Sequence, residues 1–188
     1  MYYNLLKHII YIINLYIVFS ISEWCIHKYI MHSNNENNYI SKAHSNHHKD
    51  TNNDCTLRST NIHSEKIDKY QGLFFIWQDT LTVFILGYVL ALFLNIKFNL
   101  HYSFVFIYTL LFTIYQSTLW NTIHPEIHQI NYTPSIREAC PRLLLLRNLP
   151  YYNWLKENHE KHHKFKNEKK GNFNITLPFA DFLFNTYN

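Results

Sequence analysis

The chain has 188 residues and a formal net charge of +4, and it is 47% hydrophobic and 18% aromatic. Its mean hydropathy is slightly negative, because the apolar residues form blocks between polar stretches rich in Asn and Lys. Such blocks indicate a membrane protein. The basic residues form no aromatic-interleaved patch, which argues against a nucleic acid partner. Three widely spaced cysteines indicate neither a disulfide framework nor a zinc ribbon.

The length suits one domain covering residues 1–188. An apolar segment near residues 5–23 predicts the first transmembrane helix, since it lacks Gly and Pro and is long enough to cross a bilayer. A cleaved signal peptide is the alternative interpretation. No small-x-small cleavage site follows the apolar run, however, and cleavage would detach His27 and His32 from their anchor. We therefore expect a retained helix that leaves the bilayer near Glu23.

Two further spans are predicted near residues 73–96 and 100–120, after a polar stretch that we expect to lie outside the bilayer. The short turn between these spans predicts a helical hairpin. Asp79 lies close to the start of the second span, where a carboxylate is costly and is often functional or paired. The alternative is that Asp79 lies at the level of the lipid headgroups.

The region after the third span is predicted to lie outside the bilayer and to carry the last two histidine clusters. The third helix is expected to run out of the membrane as far as His128, and Pro125 should end or bend it. Further along, Leu143–Leu146 is flanked by arginines and is too short to span a bilayer. This segment either lies in the membrane interface with its arginines at the headgroups or forms a buried packing helix.

Ten of the thirteen histidines fall into four spaced clusters. Positions i, i+3 and i+4 share one helix face, and a face that carries several imidazoles is typical of a metal site. The histidines outside the clusters are interpreted as surface or core residues, and they are His8, His63 and His101. The clustered histidines are His27, His32, His44, His47, His48, His124, His128, His159, His162 and His163.

Ten imidazoles are too many for one tetrahedral zinc, which takes four ligands. Two six-coordinate irons would offer about twelve positions and leave about two for water, oxygen or a bridge. Imidazole also suits zinc, copper and nickel, so the spacing alone leaves the metal open. The candidate metal-binding regions are residues 27–70 and 121–188.

The distribution of basic residues predicts the membrane topology. Of the 17 Lys and Arg residues, 15 lie in the two regions that carry the clustered histidines. The positive-inside rule then assigns these regions to the cytosol, and three spans place the amino terminus on the opposite, lumenal side. The glycosylation sequons at Asn131 and Asn174 would face the cytosol, so we expect neither to be glycosylated.

The order of the clusters resembles the membrane-bound fatty acid hydroxylase, sterol desaturase and carotenoid hydroxylase superfamily, whose pattern is H-x4-H, H-x2-H-H, H-x3-H and H-x2-H-H. This chain carries the same spacings in the same order. The segment from Glu23 to His32 looks like the first box of the superfamily, and Leu177 to Thr186 resembles its closing P-x-x-D-x-x-x-G-T motif. Asn185 stands where Gly is usual, and the interval between the last two clusters is longer than in many members.

The resemblance implies an all-α integral membrane protein of about three transmembrane helices, with a cytosolic helical cap at the endoplasmic reticulum. It implies that all ten clustered histidines ligate a non-haem dimetal centre, thought to be di-iron, and that no catalytic side chain is needed beyond these ligands. Zinc can replace iron in a purified or crystallised form. Family members use O2 and two electrons to hydroxylate or desaturate lipids. The electrons usually come from cytochrome b5 and its NADH-dependent reductase, and this chain carries no cytochrome b5 domain, which implies a separate donor.

Our functional hypothesis is an O2-dependent lipid hydroxylase acting on a fatty acid, a sterol or a related lipid. The close alternative is a lipid desaturase or a sterol C-4 methyl oxidase with the same centre. A different class is a non-catalytic metal-binding or transport protein, and the scarcity of ionisable residues inside the spans argues against transport.

Glu23, Glu126 and Glu160 are adjacent to histidine clusters and are expected either to accept imidazole N–H groups or to be solvated charges.

Overall fold

The computed structural model describes residues 2–33, 35, 37–57, 75–128, 145, 148–164 and 171–188. Within these residues the chain forms helices and no strand, which confirms the predicted all-α fold class. The elements in chain order are α1 (Tyr2–Cys25), a π-helical turn (Ile26–Met31), α2 (Tyr39–Lys49), α3 (Trp77–Phe98), α4 (Tyr102–Ile127), α5 (Pro150–Lys164) and α6 (Phe179–Leu183).

Among the described residues, three helices are long and apolar enough to cross a membrane, as predicted. The first combines α1 with the π-helical turn, and the other two are α3 and α4. The helices differ from the predicted spans mainly at their ends. α4, for example, continues to Ile127, seven residues beyond the predicted end near 120. Large apolar side chains such as Ile85, Phe93 and Leu111 remain exposed on the outside of the bundle, as expected for a surface that contacts lipid.

The core of the bundle lies where α1 packs against α3 and α4. Tyr11 and Phe19 of α1 are buried there together with Ala91 and Val105 of the other two helices. The Tyr11 hydroxyl donates a hydrogen bond to the Ala91 carbonyl at 3.0 Å, which satisfies a polar group in apolar surroundings. A Cβ atom at Gly87 would collide with the Phe19 ring, so glycine permits the close approach of α1 and α3.

A tight turn joins α3 to α4, as the predicted hairpin requires. Asn99 ends α3 in the left-handed conformation, with a φ of 48°. The Asn95 side chain accepts from the Leu100 N–H at 2.8 Å and donates to the Leu100 carbonyl at 3.0 Å. The Lys7 ammonium group donates to the Asn99 carbonyl at 3.1 Å. The start of α1 therefore lies at the turn, and the end of α1 lies with the start of α3 and the end of α4.

Asp79 and Pro125 both mark helix ends. The Asp79 carboxylate accepts the Ile76 N–H at 3.2 Å in the first turn of α3, where a negative charge stabilises a helix N-terminus. Its role in the described structure is therefore that of an exposed cap. α4 ends at Ile127, two residues after Pro125, as predicted. The Leu143–Leu146 segment lies outside the described residues apart from Leu145.

Candidate metal centre

The structure brings the ten clustered histidines together at one end of the bundle, in two adjoining groups. Within each group the candidate ligand atoms all lie within 4.8 Å of one another. The first histidine group is His27, His32, His44, His48 and His162, and the second is His47, His124, His128 and His163. His159 adjoins the second group, since its Nε2 atom is 3.0 Å from that of His163.

The two groups are in direct contact. The rings of His48 and His163 stack with their centroids 4.3 Å apart and an angle of 25° between their planes. The ring of His47 lies 4.9 Å from that of His124, within the second group. The arrangement is therefore one continuous histidine core that contains two sets of converging nitrogen atoms.

The H-x-x-H-H clusters of α2 and α5 each supply both groups. His44 and His48 are one turn apart on α2 and belong to the first group, whereas His47 belongs to the second. On α5, His162 belongs to the first group and His163 to the second. Each cluster therefore presents its imidazoles on one side of its helix, as predicted. Because adjacent helical residues point about 100° apart, however, that side reaches both groups rather than one.

The H-x4-H cluster lies on the π-helical turn. The His32 N–H donates to the His27 carbonyl at 3.2 Å, which is the i to i+5 bond of a π-helix. Five residues of an α-helix would rotate the chain by about 500° and leave the two side chains roughly 140° apart. In the π-helical turn the two rings stack instead, with centroids 5.1 Å apart. The wider turn therefore brings both imidazoles into the first group.

In the described part of the chain, backbone carbonyl groups orient His27, His162 and His128. The Nδ1 atoms of His27 and His162 face the carbonyls of Phe173 and Gly171, the latter at 2.9 Å. Because a carbonyl only accepts hydrogen bonds, the proton lies on Nδ1 and the lone pair on Nε2. A neutral imidazole in this tautomer is ready to bind a metal through Nε2.

His128 of the second group is oriented in the same way. Its Nδ1 atom lies 2.7 Å from the Cys55 carbonyl, while its buried Nε2 atom has no hydrogen-bond partner. A buried polar atom without a partner is costly, and a metal ion bound to Nε2 would remove that cost.

The spacing of the nitrogen atoms fits a metal ion. In the first group, Nε2 of His44 lies 3.1 Å from Nε2 of His27 and 3.0 Å from that of His48. A metal–imidazole bond of about 2.1 Å, with right angles between neighbouring ligands, places adjacent nitrogens about 3.0 Å apart. Nε2 of His32 also lies 3.1 Å from Nε2 of His44, and a single N–H on His44 would serve only one of these three contacts, whereas a cation among the nitrogens would satisfy all of them. The donor set therefore fits the metal that the resemblance implies.

Burial keeps the histidine core neutral. It lowers the pKa of His44, His47 and His48 well below the usual value, and it lowers the pKa of His128 and His162 to about 4. The neighbouring histidines lower the pKa of His44, His47 and His48 further, because a positive charge on one imidazole repels a positive charge on the next. The candidate ligands are thus deprotonated near pH 7, as metal binding requires.

Acidification from pH 7.5 to pH 5 is expected to destabilise the metal-free protein. The folded-state pKa of about 4 at His128 and His162 lies below the unfolded value of about 6.5. The unfolded chain therefore binds more protons between these values, and the free energy of unfolding falls as the pH drops through this window. Each of the two residues should contribute a loss of about 2 kcal/mol at pH 5. Thermal unfolding in detergent measures the effect, and a midpoint unchanged between pH 7.5 and 5 would contradict neutral buried histidines.

Of the acidic residues next to the clusters, Glu23 differs from expectation, whereas Glu160 does not. Glu23 is neither an imidazole acceptor nor a solvated charge, because it is buried and accepts the N–H groups of Thr176 and Leu177, both at 3.0 Å. Glu160 does behave as a surface charge and pairs with Lys164 at 3.6 Å. Glu126 accepts a hydrogen bond from the Tyr152 hydroxyl.

The closing segment supplies functional groups that the sequence did not predict. The buried Asp181 carboxylate accepts the N–H groups of Phe173 at 2.9 Å and Asn174 at 2.7 Å. The carbonyl of Phe173 orients His27, and a backbone acceptor of this kind has no side-chain signature. Asn185 has a φ of 53°, a left-handed conformation that glycine adopts freely and asparagine tolerates, which explains the substitution at this position.

Comparison with known proteins gives one family match. A family model described as fatty acid hydroxylase matches residues 12–186, a range that contains all ten clustered histidines. No curated protein and no solved structure matches the chain.

Proposed function

We propose that this chain, which belongs to the fatty acid hydroxylase family, is an O2-dependent membrane lipid hydroxylase with a histidine-ligated non-haem di-iron centre. The family comprises membrane hydroxylases and desaturases within the fatty acid hydroxylase and sterol desaturase superfamily. The observation that carries the proposal is the pair of adjoining groups of buried imidazoles at one end of a bundle of three membrane helices.

The count of nitrogen atoms supports two metal ions. The first group offers five imidazoles, and the second offers four with His159 as a fifth. Five ligands on a six-coordinate iron would leave about one position for an exchangeable ligand on each metal. Bound iron would supply the O2 activation that an unactivated C–H bond requires.

The protein's own residues would bind and orient the reactants. The buried imidazoles hold neutral lone pairs in place, and the surrounding core limits the access of water. An apolar groove of about 290 Å³ lies between α4 and the start of α5, lined by residues that include Leu111, Leu119 and Tyr152. His124 follows Leu119 by five residues, or about 7.5 Å along the helix. This groove is suited to hold the tail of a lipid substrate near the centre.

The proposed reaction also requires an electron donor and a membrane location that the donor can reach. The reaction consumes two electrons for each O2, and we propose that a separate donor such as cytochrome b5 with its reductase supplies them. The proposed location is the endoplasmic reticulum membrane, with the histidine core on the cytosolic side, where such a donor could reach it. Fifteen basic residues in the histidine-bearing regions support this orientation.

Lipid analysis of cells that express the protein tests the activity. We expect a lipid that gains the mass of one oxygen atom, and we expect this product to be absent with the His162→Ala variant at equal expression. A product that has lost two hydrogen atoms would favour the desaturase alternative, and an oxidised sterol methyl group would favour the sterol C-4 methyl oxidase. An unchanged lipid profile with full metal content would contradict the enzyme and favour a non-catalytic metal-binding protein.

A further inference from the structure

We propose that Glu23 and Asp181 are positioning residues for the first histidine group. They hold in place the backbone segment 171–177, which we call the strap, and the carbonyl groups of the strap orient His27 and His162. The inference rests on the proposed metal centre and concerns how one half of that centre is built.

The strap contacts two members of the first group. The Nδ1–H of His27 donates to the carbonyl of Phe173, and that of His162 donates to the carbonyl of Gly171 at 2.9 Å. The two acceptors are only two residues apart, so a displacement of the strap would rotate both imidazoles. The Nε2 atoms of these rings reach the same group, where that of His162 lies 3.2 Å from that of His32.

Glu23 binds the strap from α1, one helical turn before His27. Its carboxylate accepts the backbone N–H groups of Ile175 at 3.2 Å and Leu177 at 3.0 Å. The same carboxylate accepts the N–H of Thr176 at 3.0 Å and its hydroxyl at 2.9 Å. A carboxylate only accepts hydrogen bonds, so it can satisfy all of these donors together. An amide at this position would direct two N–H groups of its own against them.

Asp181 binds the other half of the strap from α6. It accepts the N–H groups of Phe173 and Asn174 and, at 2.7 Å, the Thr186 hydroxyl. Among the described residues, neither Asp181 nor Glu23 pairs with a Lys or Arg side chain, so the strap donors are what compensate these buried carboxylates. Burying a charge is costly unless hydrogen bonds compensate it, and the bonds that do so here fix the conformation of the strap.

His128 of the second histidine group does not depend on the strap in this way. The carbonyl that orients His128 belongs to Cys55, which follows α2. Loss of a strap-binding carboxylate should therefore weaken the first group and spare the second. General loss of stability would not discriminate between the two groups, so this selectivity separates a positioning role from a merely structural one.

The test is a Co²⁺ titration of the metal-free Glu23→Gln protein in detergent, followed by visible absorption and by the bound Co²⁺ per chain. The spectra of His27→Ala and His128→Ala assign the bands to the first and second groups. We expect Co²⁺ affinity to fall 10–100-fold at the first group and to stay unchanged at the second. The matched control is Glu160→Gln, because the Glu160 side chain is bound to Lys156 and Lys164 on the surface of α5. This control should bind Co²⁺ like the parent.

The possible outcomes separate the two proposals. A parent that binds no Co²⁺ would contradict the metal centre and, with it, the positioning role. A parent that binds two Co²⁺ ions, with a Glu23→Gln variant weakened at neither group or equally at both, would contradict the positioning role alone. If Glu23→Gln does not fold, Thr176→Val decides, since it removes one donor to Glu23 and leaves the three backbone donors. A several-fold loss of affinity confined to the first group would support the proposal, and unchanged binding would overturn it.

Discussion

His162→Ala and His47→Ala are each expected to abolish the dimetal centre and all lipid product. The two residues belong to different groups, and each is buried. Nε2 of His162 lies 3.2 Å from those of His32 and His48, and Nε2 of His47 lies 3.3 Å from that of His163. Each substitution therefore removes a candidate ligand and leaves a void inside a packed core, where neighbouring side chains cannot replace the lost nitrogen. Iron content per chain and product formation, measured on the same preparations, test the expectation.

The matched control is His101→Ala. His101 lies at the opposite end of the bundle, where it is exposed and its imidazole accepts the Ser103 N–H at the start of α4. Its loss should cost about 1 kcal/mol of helix stability and leave metal content and activity largely intact. His63→Ala, at a residue outside the described ranges, is likewise expected to leave metal content and activity largely intact. Full activity of the His162 variant, or a parent with close to one metal per chain, would contradict the ten-ligand centre.

The candidate ligands were predictable because helical geometry relates sequence spacing to position. His124 and His128 are one turn apart on α4, and His44 and His48 are one turn apart on α2, so a shared face follows from the helical period. The three spans were predictable for a similar reason, since apolar runs of this length have few stable alternatives in a bilayer. The residues at which these helices end were less predictable. α4 continues past the apolar run because its polar last turns are buried against other parts of the chain rather than exposed to lipid.

The division of the histidines into two groups could not be predicted from the sequence. It depends on how α2 and α5 are rotated about their axes relative to α4, and packing between distant segments sets that rotation. The π-helical turn at His27 and His32 is a similar case, because a spacing of five has no preferred face in an α-helix. The sequence also placed Glu23 near the candidate ligand His27 without indicating that the Glu23 carboxylate binds Thr176 and Leu177, some 150 residues later.

The structure changes how the membrane topology can be tested. The sequon at Asn174 is fully buried, and its side-chain amide donates to the Ser20 carbonyl at 2.8 Å and to Glu23 at 3.1 Å. A glycan at this position is incompatible with the folded structure, so the absence of a glycan there is explained by burial as well as by a cytosolic location. The sequon at Asn131 lies outside the described residues. An informative acceptor must therefore be introduced at an exposed position.

Tyr39→Thr completes such an acceptor sequon with Asn37. Tyr39 is 57% exposed at the start of α2, on the same side as the histidine core. Because the positive-inside rule assigns this side to the cytosol, we expect no glycan on the variant in a eukaryotic host. An acceptor peptide fused to the amino terminus should be glycosylated, since Lys7 places the start of α1 at the opposite end of the bundle. The reverse result, with Asn37 modified and the amino-terminal acceptor unmodified, would place the histidine core in the lumen, where a cytosolic electron donor could not reach it.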